Sequence, residues 1–331
     1  MMKNNNIENY INNKFNKNEN FKIEEIKGDA SNRKYYRAKS GKRKFIVMDS
    51  SLEKRNFNNF LKFSSIYSRN KILIPKIFKK DLNKKILFLE DLGENLIFNK
   101  INTKSSFKIY EKSILNILNI QKIREKNISN YLHKKYLDES FLFINWVLKE
   151  FLKINISNAD NKKLKKSIKF IIDNINHNTN VLVHRDYHSK NIFYKNKKIT
   201  IIDYQDSVYG SPLYDLVSLL NDCYRDIDIK SKNKLIEIFF NKFNENNSFT
   251  FSMDEFLHNF YLLTAQRHLK ASGIFCRLSV RNKRHNYLQH LERTLNYIVN
   301  ASSYYGSLDI INTYVKEALS LLDESNYSRR W

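Results

Sequence analysis

Cysteine is close to absent: Cys223 and Cys276 are the whole complement. Two thiols cannot build a disulfide framework or a cysteine-based zinc cluster, and they fit a reducing compartment. Proline and glycine are scarce too, with 2 and 6 copies in 331 residues, so each one is informative punctuation. No apolar run approaches the length of a membrane span. The stretch from Met1 to Asn20 is polar and Asn/Lys-rich. It lacks the apolar core of a signal peptide, so a soluble, cytoplasmic protein without a membrane partner is expected. Acidic residues are in deficit, 34 against 58 Lys and Arg, for a net charge of +24. The basic residues are spread along the chain among Asn, Ile, Tyr and Phe, as AT-rich codon usage would give. They form no single stripe, so a nucleic-acid partner is set aside. A positive field also favours an anionic nucleotide or sugar. What is present in quantity is apolar and aromatic: 42% and 14%. That is enough for a sizeable core and argues against wholesale disorder. The length suits about two domains, or one large bilobed one.

Around Gly28 and Gly41 lie Phe21–Ile23, Lys34–Ala38 and Lys44–Met48. These read as three antiparallel strands with turns at Gly28-Asp29 and Ser40-Gly41. Ser50-x-x-Glu53 reads as a capping box opening a helix through Phe57, Phe60 and Tyr67. After Pro75, Lys76–Phe78 and Ile86–Leu89 complete a five-stranded sheet with one helix. From about Thr103 the periodicity is mostly helical. Helices are expected over Glu139–Leu152, with Trp146 on the apolar side, and over Lys162–Ile175. Another is expected after Gly210-Ser211-Pro212, and a capping box at Ser252-x-x-Glu255 precedes a further one. The expected class is α+β: residues 1–93 as a β-rich N-lobe with one helix, and 94–331 as a helical C-lobe.

Between short strands at Val181–Val183 and Ile199–Ile202 stands His184-Arg185-Asp186-Tyr187-His188-Ser189-Lys190-Asn191, followed by Asp203. The order is H-x-D-x-x-x-x-N, then an apolar strand ending in Asp. Phosphoryl transfer needs a carboxylate to orient the attacking hydroxyl and hard oxygen ligands for Mg²⁺ on a nucleoside triphosphate. Asp186 supplies the first, as catalytic base; Asn191 and Asp203 supply the second. ATP and Mg²⁺ are the implied cofactors.

Three segments carry a family resemblance: Gly28-Asp29-Ala30-Ser31-Asn32-Arg33-x-Tyr35-Tyr36-Arg37, His184–Asn191 with Ile202–Asp206, and Gln266-Arg267-His268-Leu269-Lys270-x-x-Gly273-Ile274-Phe275-x-Arg277-Leu278. From Gly28 to about Tyr297 the chain resembles the aminoglycoside phosphotransferase/choline kinase branch of the protein-kinase-like fold. Within it, the chain is similar to bacterial kinases that phosphorylate the anomeric hydroxyl of N-acetylmuramate or N-acetylglucosamine in cell-wall sugar recycling. The third segment is the most specific and carries most of the sugar assignment. The resemblance implies a bilobed, protein-kinase-like fold and a small-molecule sugar substrate; a monomer is the favoured state. It implies structural roles for His184, which braces the loop, and for Asp215, which holds the loop backbone; a local helix cap is the simpler reading of Asp215. Adenine is expected at the backbone of Glu90-Asp91-Leu92.

Two departures stand out. Only Gly28 remains of a Gly-rich loop, with Ser31 and Asn32 beside it. The usual strand-3 lysine position holds Met48. Lys44 shares that face but lies about 13 Å away along the strand. Arg33 and Arg37 are therefore the candidates for neutralising phosphates, and Glu53 reads better as a helix cap than as the lysine's glutamate partner. His188 can donate to phosphate or substrate, or simply pack. Gln205 and Asp206 can reach a sugar hydroxyl. Arg267 and His268 can face the acceptor, or belong to a solvated helix face. The competing readings are a kinase of another small alcohol (an aminoglycoside, choline or homoserine) and a non-catalytic nucleotide-binding scaffold.

Overall fold

The computed structural model describes residues 4–14, 21–26, 33–100, 106–175 and 180–324. They divide into two compact units: Met1–Lys100 with Asn191–Asp206, and Ile101–Lys190 with Ser207–Trp331. A single break near Gly93 would leave Asn191–Asp206 in the second part; in the structure this segment packs with the first.

The first unit is built on a sheet of β1 (Lys22–Ile26), β2 (Lys34–Ser40), β3 (Arg43–Asp49), β4 (Ile77–Asp81) and β5 (Ile86–Glu90), in the order β1-β2-β3-β5-β4. All neighbours are antiparallel. Gly41, at φ +55°, makes the tight turn between β2 and β3. Strand alternation sorts the side chains onto two faces. Tyr36, Ala38, Phe45, Val47, Ile86 and Phe88 fill one face. A helix that the polar N-terminus conceals covers them: α1 (Asn4–Lys14), which buries Ile7, Tyr10 and Ile11 at the i, i+3, i+4 spacing. The opposite face carries Tyr35 and Arg37 of β2, Ile46 and Met48 of β3, and Leu87 and Leu89 of β5.

α2 (Lys54–Arg69) starts later than the Ser50 capping box predicts. Its N-cap is Glu53, whose side chain makes no capping bond; the Glu53 backbone N–H donates instead to Ser50 O. Facing α2 is the hairpin of β7 (Ile192–Lys195) and β8 (Lys198–Ile201), turned at Asn196 and Lys197, both at positive φ as a two-residue hairpin requires. Tyr204, just beyond β8, stacks on Phe60 at 5.0 Å, meets Tyr67 edge-on at 5.5 Å and shares a 2.9 Å hydrogen bond with Ser64. Ile201 N–H donates to Leu73 O, and Tyr194 N–H to Asn95 O. Aromatic pairs of this kind add about 0.5–1.5 kcal/mol each beyond burial. They attach the hairpin, and with it Asp203, to α2.

The second unit is mostly helical: α3 (Ser106–Gln121), α4 (His133–Ser140), α5 (Asn158–Asn174), α6 (Tyr214–Leu220), α7 (Ile229–Asn246), α8 (Met253–Asn282), α9 (Leu291–Ser302) and α10 (Asp309–Glu324). Two short strands, β6 (Val181–Val183) and β9 (Val208–Gly210), pair antiparallel on either side of the catalytic loop. The single helix expected over Glu139–Leu152 is in fact two pieces. α4 ends at Ser140, and Phe143–Phe151 winds as a π-helix, closed by Leu152 N–H on Val147 O. Trp146 lies half-buried on that π-helix. α8 opens on the Ser252/Glu255 capping box, with both reciprocal bonds formed. It then runs 30 residues through the centre of the unit, buried on several sides. At Gly273 a Cβ would stand 2.5 Å from the Leu142 backbone, so only glycine lets α8 approach the start of the π-helix this closely.

Candidate active site

In the second unit, β6 delivers the chain into the loop, and Asp215 at the start of α6 holds it. The fully buried Asp215 carboxylate accepts from His184 N (2.7 Å) and Arg185 N (3.0 Å). Burial raises its pKa, with His184 and the two amides pulling the other way. His184 is itself buried, and its Nδ1 accepts from Asp186 N at 3.2 Å. Arg185 adopts a left-handed backbone, φ +76°, uncommon for a bulky residue. These contacts determine where Asp186 emerges, its side chain 43% exposed. Desolvation pushes the Asp186 pKa up, but Lys270 and Arg267 outweigh it and hold the carboxyl below the usual range. It is ionised at neutral pH, as a hydroxyl-orienting group must be.

The cations beside Asp186 come from α8. Arg267, buried, lies 4.0 Å from Asp186 Oδ1 and donates to Arg185 O at 3.3 Å. Lys270 pairs with Glu139 Oε2 at 3.2 Å. Glu139, from α4, also takes Arg185 at 2.7 Å and accepts from the Tyr131 hydroxyl. Burial alone would raise the Glu139 pKa; Lys270 and Arg185 bring it down to about 2. His268, the neighbour of Arg267, is fully buried, with backbone carbonyls of Thr264 and Asn221 against its two ring nitrogens. Its ring faces the helix packing and not a surface that an acceptor can reach. His188 is 9% exposed, tilted against Tyr224 at 5.0 Å, and burial lowers its pKa. Asp222 ties these together, accepting Ser189 N and Tyr224 N, each at 2.8 Å.

In the first unit, Asn191 and Asp203 flank the open end of the β7–β8 hairpin. Ile202 N–H donates to Asn191 O at 3.0 Å, and Asp203 turns left-handed at φ +62°. Arg33, 7% exposed, donates to Asp203 Oδ1 at 2.9 Å and to Gln205 Oε1 at 3.1 Å; Glu53 lies 3.7 Å from its Nε. Gln205 donates in turn to Asp203 and to the exposed Asp206. Gln205 is thus committed to the Asp203 side, which leaves it poorly placed for a sugar hydroxyl. Arg37 goes elsewhere: its guanidinium meets Asp91 (3.0 Å) and Glu94 (3.1 Å), and Asp91 also accepts from Gly93 N. Glu90 ends β5 and Leu92 is buried beside Asp91. Gly28, Ser31 and Asn32 lie outside the described residues.

The donor set suits Mg²⁺. Among the described residues no cluster of three or more His, Cys, Asp or Glu side chains forms a metal cage. The candidate ligands Asp203 and Asn191 would supply one carboxylate and one amide oxygen. Mg²⁺ characteristically takes only one or two carboxylates and completes its shell with phosphates and water. Arg33 between Asp203 and Glu53 leaves one net negative charge, which also suits a cation.

Two anchors escaped the sequence reading. Glu139 had a signal, an acid in helical phase with Tyr136 and Phe143. Asp222 had none beyond its place after the apolar run of α6.

The model of the phosphotransferase enzyme family matches residues 22–240. The chain belongs to that family. Among curated proteins, it is 24% identical over 279 residues to the N-acetylmuramate/N-acetylglucosamine kinase of Pseudomonas aeruginosa, covering 82% of this chain and 81% of that one. It is 26% identical over 287 residues to the enzyme of that name from Neisseria meningitidis, covering 85% of each. Among solved structures, the choline kinase LicA from Streptococcus pneumoniae superposes with a TM-score of 0.64 at 14% identity, over 90% of this chain and 99% of that one. The aminoglycoside phosphotransferase APH(4)-Ia, in a ternary complex with ADP and hygromycin B, gives 0.60 at 10% identity, over 90% and 99%. These likenesses establish the protein-kinase-like fold. As a member of the phosphotransferase family, the chain is an ATP-dependent kinase acting on a small molecule. No helix among the described residues is long and apolar enough to cross a membrane.

Proposed function

We propose that this phosphotransferase phosphorylates the anomeric hydroxyl of an amino sugar, N-acetylmuramate or N-acetylglucosamine. The observation that carries the reading is Arg267. The helix segment most specific to the sugar kinases, Gln266–Leu278, brings a buried guanidinium to 4.0 Å from Asp186, the residue that meets the attacking hydroxyl. The names of the curated relatives, matched over more than four-fifths of both chains, point the same way. Asp186 accepts the hydrogen bond of the anomeric hydroxyl and aligns its oxygen with the γ-phosphorus. The new O–P bond forms as the bond to the ADP oxygen breaks, and the proton leaves by way of Asp186 to solvent. Asn191 and Asp203 would hold Mg²⁺, which would supply positive charge to offset that of the phosphates. Catalysis is positioning plus electrostatics.

Choline is disfavoured by one contact. The half-buried aromatic beside the loop, Tyr224, already carries the Lys190 ammonium 4.0 Å from its ring centroid, where a quaternary ammonium would seek the face. The test is a panel of amino sugars, neutral sugars, choline, aminoglycosides and homoserine with Mg-ATP, read by product mass and by phosphorus NMR for the anomeric position. Product from the amino sugars, abolished by Asp186→Ala, is expected. Phosphorylation of choline or an aminoglycoside alone refutes the reading.

A further inference from the structure

Kinases of this fold ordinarily orient the triphosphate with a lysine on the third strand, held by a glutamate from the following helix. Met48 puts an apolar side chain at that position of β3, fully buried and paired with Tyr35 of β2 and Leu87 of β5. Directly opposed residues of antiparallel strands point to one side, and so do residues two apart on a strand. Arg33, immediately before β2, has its guanidinium 6.0 Å from the Tyr35 ring and so lies on the same side of the sheet as Met48, one strand over. Lys44 also shares the face, but pairs with Lys39 near the far end of the hairpin and is exposed. Arg37 is held by Asp91 and Glu94.

The geometry points to Arg33 as the relocated phosphate-orienting cation, with Glu53 as its positioning carboxylate. The lysine–glutamate pair of strand 3 and helix is replaced by an arginine just before β2 and a glutamate at the N-cap of α2. This assignment rests on the reading of the chain as a nucleotide-dependent kinase, and not on which acceptor it uses.

Three features support it. The guanidinium reaches Asp203, the Mg²⁺-binding candidate, at 2.9 Å. Its fork is fixed from two more directions, by Gln205 at 3.1 Å and Glu53 at 3.7 Å, and it is nearly enclosed. Glu53 stands at the N-cap of α2 and does no capping; it accepts from Asn56 at 2.9 Å and turns to Arg33. The reading of Glu53 as a helix cap is corrected accordingly. Arginine is suited to the task, since its planar fork serves a carboxylate and a phosphate at once.

The experiment uses the full chain and ADP in excess MgCl₂, with affinity measured by calorimetry and kcat and KM by product formation. Arg33→Met is expected to weaken nucleotide affinity about 10- to 100-fold, the loss of a charge-assisted contact. It should lower kcat and leave the acceptor KM within about twofold. Glu53→Gln should shift the same parameters in the same direction by less. Restoring the cation to strand 3, as Met48→Lys in the Arg33→Met background, should recover about tenfold of the loss, which a mere structural brace would not. Unchanged ADP affinity in folded Arg33→Met, or an acceptor KM that moves alone, overturns the assignment. So does a Met48→Lys double variant that folds without recovery. If Arg33→Met fails to fold, Arg33→Lys and Glu53→Gln decide by the same readouts. Wild type that binds ADP without phosphorylating any sugar refutes the sugar reading and leaves this one standing; wild type that fails to bind ADP refutes both.

Discussion

Glu139 supports a charge cluster whose strength can be worked out. Its carboxylate sits among Arg185, Lys270 and the Tyr131 hydroxyl, at 8% exposure. Burial favours the neutral acid, yet the neighbouring Lys270 and Arg185 bring the pKa down from 4.5 to about 2. At 1.36 kcal/mol per unit, the charged form is favoured in the fold by about 3 kcal/mol. Glu139→Gln mimics the neutral acid and should cost that amount at pH 7. Glu139→Ala should cost about 3–5 kcal/mol, because two buried cations lose the carboxylate they share. The folded pKa is depressed, so the contribution is full above the unfolded value near 4.5 and fades as pH falls toward 2. Urea unfolding followed by far-UV circular dichroism, with m-values checked for constancy, measures the difference between wild type and Glu139→Gln at pH 7 and pH 3. The gap should shrink at pH 3. Adding Lys270→Met to Glu139→Gln should return part of the loss, since one stranded cation goes with it. A gap below about 1 kcal/mol at pH 7, a gap that persists at low pH, or no recovery with Lys270→Met would refute the reasoning.

Two further outcomes follow from the second unit. Gly273→Ala should destabilise by about 1–3 kcal/mol despite alanine's better helix propensity, because the added methyl meets the Leu142 backbone at 2.5 Å; thermal unfolding reads this, and a raised midpoint would show that α8 and the π-helix separate freely. Asp222→Asn should lower kcat several-fold with nucleotide affinity unchanged, since it loosens Ser189 and Tyr224 beside the loop. A change confined to nucleotide affinity contradicts that placement.

Strand alternation and chain order made the five-stranded sheet legible, because turn signals separate the strands and β2 and β3 alternate in and out of the core. The candidate loop stands out in the sequence because phosphoryl transfer restricts residue type at fixed spacing. Elements whose stability comes from distant partners were not. α1 is held by three apolar side chains on a sheet that its own polar sequence does not announce. The break between α4 and the π-helix follows from the close approach of α8 at Gly273, a contact more than a hundred residues away. Glu139 reads as an ordinary helical acid until Arg185 and Lys270 are brought to it. Glu53 was misread for the same reason: a capping box is a local pattern, while its real partner, Arg33, lies across the strands.

The hairpin that completes the first unit comes late in the chain. Phe60, Ser64 and Tyr67 are made long before Tyr204, their partner. On a ribosome adding about 5–20 residues per second, roughly 5–20 s separate residue 100 from residue 206. Throughout that interval an aromatic face of α2 waits for its partner while α3 to α5 are being made. The last piece to seat carries Asp203. Nascent chains of this protein can acquire a sheet early, but Asp203 arrives only after the loop bearing Asp186 has already emerged.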